Sequence, residues 1–146
     1  MNATFFPEKK YENKAIHTDI CTPLATSPTW NKCPREMRNE LSNKGAIIWN
    51  RLISLLKPHL VLISVNQKHL DKIEFGEKRW EKFHTLYKYE DGEDRNPPYK
   101  ICYKKAIIND TTTTFIHDKP ANVKPFLLSP NQKNLVGNLI YEAFFA

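Results

Sequence analysis

The sequence predicts an α/β domain: a three-layer sandwich with a mainly parallel central sheet, an inserted β-hairpin and a C-terminal helix. Three observations carry this. Residues Lys14 to Cys21 read as a strand, and His59 to Val65 (HLVLISV) is almost continuously apolar, the signature of a strand covered on both faces. Between them Ile48, Trp49, Leu52, Ile53 and Leu56 recur at helical spacing. Strand, helix and strand make a βαβ unit, whose crossover is expected to be right-handed. A second helical stripe closes the chain.

The elements follow in order. The first strand runs into a loop, Thr22 to Pro34, that holds three prolines. Arg35 to Leu41 suits a short helix with Pro34 at its first turn, and Gly45 separates it from the stronger helix beyond. Lys57-Pro58 ends that helix, because proline disfavours helical geometry in the residue before it. A short helix is expected from Gln67 to Ile73. KFHTLYKYE (Lys82 to Glu90) and YKICYKKAII (Tyr99 to Ile108) flank the turn-rich DGEDRNPP as a hairpin inserted before the next core strand. That strand is TTTTFIHD, Thr111 to Asp118, rich in β-branched residues. Ser129-Pro130-Asn131-Gln132 has the pattern of a capping box with proline at the first helical position. Leu135, Val136, Leu139, Ile140 and Ala143 then form one apolar face.

Length and composition bound the class. The 146 residues make one domain, 1–146, with 40% hydrophobic and 26% charged residues, ordinary for a soluble globular chain. No run is long enough to span a bilayer, and MNATFFPEKK has no signal-peptide core, so no membrane role and a cytoplasmic location are expected. The N-x-T matches at Asn2 and Asn109 then carry no meaning. Cys21, Cys33 and Cys102 are too few and too irregular for a disulfide framework. Cys21 and Cys33 with His17 do not match a zinc spacing, and phosphate-loop, dinucleotide, nucleophile-elbow and zincin motifs are missing, so neither a metal nor a cofactor is expected. The net charge of +6 favours a polyanionic partner.

In open α/β sheets, ligands bind beyond the carboxyl ends of the strands. The first strand ends at Thr18, Asp19 and Thr22, the second at Ser64 and Asn66, the third at His117 and Asp118, and parallel strands bring these ends to one edge. Asp19, Thr22, Ser64 and Asn66 are therefore candidate ligand-binding residues and His117 a candidate functional residue, with Asp118 placed to bias its protonation. Each has a plainer reading: Asp19 and Thr22 suit a turn, Asn66 suits a cap for the helix at Gln67, and His117 suits a packed or surface position. Lys100, Lys104 and Lys105, with Lys119, are candidate nucleic-acid contacts. They alternate with Tyr87, Tyr89, Tyr99 and Tyr103, a pattern that serves either sheet packing or a stacking platform for single strands.

This order of elements resembles the later part of the uracil-DNA glycosylase superfamily over roughly residues 14 to 145. HTDICTPLATSP resembles that family's strand ending in a base-reading Asn and a proline-containing loop. GAIIWNRLISLLKPHLVLISV resembles its helix and apolar strand joined by a Lys/Arg-Pro turn, and FIHDKP its last core strand ending in His. The resemblance implies extrusion of a nucleotide into a pocket, His117 as the donor that stabilises the departing base, and Asp19 at the base edge. Asp19 stands where the family has Asn. A carboxylate only accepts hydrogen bonds, so it would favour an amino-bearing edge over uracil. Asp118-Lys119 replaces the family's Pro-Ser. Its water-activating Gly-Gln-Asp-Pro-Tyr-like motif has no counterpart in Met1 to Asn13, so base excision would require a further N-terminal portion.

Three functions follow: a DNA-binding domain of the glycosylase kind, a non-catalytic protein-interaction subunit on the same scaffold, or an unrelated α/β enzyme acting on a nucleotide-like ligand. Without the family's first strand, a sheet edge is expected to pair with a partner chain or a second copy.

Overall fold

The structure is a computed structural model, which describes Thr18 and residues 30–65, 67–119 and 128–146. The strand expected at Lys14 to Cys21 lies outside these residues, apart from Thr18. After a single 3-10 turn at Trp30–Lys32, helix α1 spans Arg35–Leu56, strand β1 Leu60–Ile63, helix α2 Gln67–Leu70, strand β2 Glu81–Lys88, strand β3 Asp94–Ile108, strand β4 Thr111–Lys119 and helix α3 Pro130–Phe144.

Helix α1 is one element, not the two expected. A mid-helix glycine costs only about 1 kcal/mol against alanine, and Gly45 is buried on the same side as Ala46, Trp49 and Ile53. The packing of that side outweighs the local penalty. The helix ends where expected: Lys57 turns left-handed, with φ 49°, and its amide donates to the Ile53 carbonyl at 2.9 Å. The expected helix from Gln67 shortens to α2 and a turn. At the far end, Ser129 caps α3 by accepting from the Gln132 amide at 3.3 Å, while of the expected apolar face Val136 and Ile140 are buried and Leu135 is exposed.

The sheet is mixed, in the order β1-β4-β3-β2. β1 pairs with β4 in parallel, and both remaining pairings are antiparallel. The expectation of a mainly parallel sheet is therefore corrected: the hairpin does not sit beside the sheet but forms half of it. The cause is local. Asn109 and Asp110 take φ 46° and 68°, the two-residue primed turn that Asn and Asp favour, and a turn this tight forces β4 back along β3.

Each face of the sheet has its own core. Trp49 and Ile53 of α1 pack with Ile63, Leu70, Ile73, Ala106, Ile108 and Phe115. Val136 and Ile140 of α3 pack on the other side with Leu86, Tyr99, Ile101, Ile116 and Leu128. Phe115 and Ile116, both fully buried, thus face opposite ways, as strand pleating requires.

Asn50 pins the connection that follows α2. Its side chain donates to the Lys72 carbonyl at 3.1 Å and accepts from the Glu74 amide at 3.5 Å. Gly76 then lets the chain cross β3 closely. Its φ is +69°, and a Cβ there would stand 2.6 Å from the Lys105 carbonyl oxygen. This crossing delivers Trp80 onto the sheet. Among the described residues no helix is long and apolar enough to cross a membrane.

Candidate functional site around His117

His117 lies opposite Ile63, the last residue of β1, and opposite Cys102 of β3. The end of the parallel pair therefore places His117 and the half-buried Ser64 at one edge of the sheet. Asp19, Thr22 and Asn66 lie outside the described residues. Thr18, the neighbour of Asp19, accepts a hydrogen bond from Trp49 Nε1 at 3.0 Å, which sets it against α1.

The imidazole is covered. His117 is 3% exposed, and its ring meets Trp80 edge-on at 4.5 Å and 82°. Nδ1 lies 3.0 Å from the Asp118 carbonyl oxygen. A carbonyl only accepts, so this contact places a hydrogen on Nδ1. The expected influence of the Asp118 carboxylate on His117 is corrected, because alternation along β4 turns that carboxylate to the α3 face. There its Oδ2 accepts from the Tyr99 hydroxyl at 2.6 Å.

Lys104 shares the Trp80 ring. Its Nζ stands 4.9 Å from the Trp80 centroid, 6.0 Å from that of Phe115, and donates to the Ile73 carbonyl at 3.4 Å. The residue is 5% exposed, and burial pushes its pKa down. Its assignment as a nucleic-acid contact is corrected: a lysine enclosed by two aromatic rings and the protein's own backbone does not reach a phosphate. Lys100 and Lys105 are exposed, but their positions on β3 differ by an odd number, so they stand on opposite faces. Lys105 lies over the Phe144 ring at 5.1 Å on the α3 side. The backbone of Lys119 pairs with Lys100, and its side chain lies outside the described ones. The four lysines thus make no common patch.

The α3 face holds a second buried polar group. Asp118 is 1% exposed, and its Oδ1 has no hydrogen-bond partner among the described residues. Burial raises its pKa, and the Tyr99 hydrogen bond opposes that shift. Tyr99 is itself raised, first by burial and then by the carboxylate. Arg95 stacks over Tyr89 at 4.1 Å and stands 5.4 Å from the Tyr99 centroid. It donates to the Lys88 carbonyl at 3.0 Å and to Gln132 Oε1 at 2.8 Å, tying the hairpin to α3.

Trp80 and Arg95 escaped the sequence reading, and Tyr99 was read there only as sheet packing or a stacking platform. Only the path of the chain after Gly76 shows that Trp80 covers His117, and only the strand register that Tyr99 faces Asp118. Among the described residues no three His, Cys, Asp or Glu side chains gather as a metal would need. No family model, no curated protein and no solved structure matches this chain.

Proposed function

We propose that this domain binds nucleic acid, DNA in the first instance, through the α1-side face of the β2–β3 hairpin. One observation carries the reading: Lys82 and Lys100, both exposed, occupy this face together, because Lys82 pairs across from Cys102 and Thr85 across from Lys100. Two cations on adjacent strands suit a backbone of regularly spaced phosphates, and the exposed Tyr87 of the same hairpin suits base stacking. The net charge of +6 supports it.

The uracil-DNA glycosylase-like relationship belongs to this proposal, and with it a three-layer sandwich and a cytoplasmic location. It is supported by His117 beside the end of a parallel strand pair. Base excision would need water-activating residues from a further N-terminal portion, and His117 would act only once Trp80 moved aside.

The test is fluorescence polarisation with a labelled single strand and its duplex across a salt series. Neutralising three to five phosphates gives a log-log slope of about −2 to −5. Lys82→Glu with Lys100→Glu should weaken binding to all sequences and flatten the slope by about 2. No binding at low salt, or binding indifferent to these two changes, refutes the reading.

A further inference from the structure

We propose that the outward face of α1 is a helix-pairing seam that docks an acidic amphipathic helix of a partner protein. A helix needs one apolar stripe to join a core, and α1 has its own on the side of Ala46, Trp49 and Ile53. It carries a second stripe on the other side. Met37, Leu41, Lys44, Ile48, Arg51 and Leu55 follow one another at alternating steps of four and three, the heptad spacing of paired helices. Leu41, Ile48 and Leu55 occupy one position of that repeat, and Met37, Lys44 and Arg51 the other. Ile48 is 53% and Leu55 72% exposed, and Ile47 beside them is exposed too. Leu41 is half-buried, and among the described residues Met37, Ile47, Ile48 and Leu55 join neither core.

The charges choose the occupant. From Leu41 to Lys57 the chain has no carboxylate. Lys44 is bonded at 2.6 Å to Glu40, whereas Arg51 has no ion pair among the described residues. A second copy would set Lys44 and Arg51 against their own kind in a parallel pair, or press them onto Leu41, Ile48 and Leu55 without a counter-charge in an antiparallel one. A bilayer would have to take in Arg51, which sits within the stripe between Ile48 and Leu55 and not at its rim. Trp49, the one aromatic residue of α1, is turned into the core and cannot anchor at a membrane interface. A protein helix with aliphatic residues on one seam position and Asp or Glu on the other satisfies both parts of the surface. From Met37 to Leu55 the seam is about 27 Å long, so it would hold a partner helix of about five turns.

The test uses a labelled synthetic peptide of about three heptads, with Leu at one seam position, Glu at the other and Ala and Gln elsewhere, and a twin with Lys for Glu. At physiological salt the Glu peptide should bind and the Lys peptide should not. Ile48→Gln with Leu55→Gln should weaken binding at least about tenfold while leaving the melting temperature nearly unchanged, since exposed positions contribute little to stability. Arg51→Glu should weaken the Glu peptide and gain the Lys peptide. Binding of neither peptide, or of both equally, overturns the proposal. So does binding to phosphatidylserine vesicles without peptide binding, or dimerisation that Leu55→Gln abolishes. Oligonucleotide binding should be indifferent to Ile48→Gln and Leu55→Gln, so this proposal and the nucleic-acid reading fail separately.

Discussion

His117 and Asp118 are consecutive on β4, yet their side chains serve opposite faces of the sheet: the imidazole lies edge-on to Trp80, and the carboxylate accepts from the Tyr99 hydroxyl. A His-Asp pair in sequence is thus two separate buried polar sites, and each has its own consequences.

His117→Ala should destabilise the domain by about 1–3 kcal/mol, read from urea melts. It removes a ring packed against Trp80 and opens a cavity in a closed layer. Trp80 fluorescence should change with it. Unchanged stability would mean that the ring is not held there.

Asp118 gives a pH dependence. Its pKa is raised in the fold, so the folded chain keeps its proton at pH values where the unfolded chain has lost it. Stability contributed this way is full below the ordinary carboxylate range and is lost as pH rises through the raised value. Asp118→Asn should remove that slope and leave stability near neutrality equal or higher. Tyr99→Phe leaves Oδ2 without its donor and should cost about 1–3 kcal/mol near neutrality. Urea midpoints between mildly acid and neutral pH check both.

Lys104 behaves in the opposite sense. Its pKa is lowered by burial, so the unfolded chain binds the proton more tightly. Stability should rise with pH through the window between the lowered value and the ordinary lysine range. Lys104→Met keeps the stem against Trp80 and Phe115 and removes the charge. It should stabilise the domain at neutral pH, abolish the alkaline rise and leave oligonucleotide binding unchanged. A loss of binding equal to that of Lys100→Glu would contradict the burial of Lys104.

Gly76→Ala should cost more than about 1 kcal/mol, because a positive φ disfavours any side chain and a Cβ would press on the Lys105 carbonyl. Gly92 is the control. It has φ +91° with nothing within 4 Å, so Gly92→Ala should show the conformational cost alone. Equal melting temperatures for the two variants would remove the packing argument.

Local chemistry made much of the fold legible. The stop at Lys57-Pro58, the Ser129 cap, the hairpin around Asp91–Gly92 and the β-branched run at Thr111 each depend on residues a few positions apart. That the ends of β1 and β4 share an edge was expected from the rule for parallel strands, but their direct pairing, which sets His117 opposite Ile63, was not. The continuity of α1 through Gly45 was hidden, since glycine reads as a break until the packing of Trp49 and Ile53 is known. Asn109-Asp110 was the overlooked signal for the antiparallel half of the sheet.

By itself the sequence determined an α/β chain and the place of most of its helices and strands, and singled out His117 and the hairpin lysines, because period and turn chemistry are properties of neighbours. Tertiary structure alone decided which face each of those side chains meets. Trp80 over His117 and Lys104, and Tyr99 against Asp118, are contacts between residues 19 to 37 positions apart along the chain. The crossing at Gly76 delivers Trp80, strand register supplies the rest, and a shift of β4 by one residue would send His117 and Asp118 to the opposite faces.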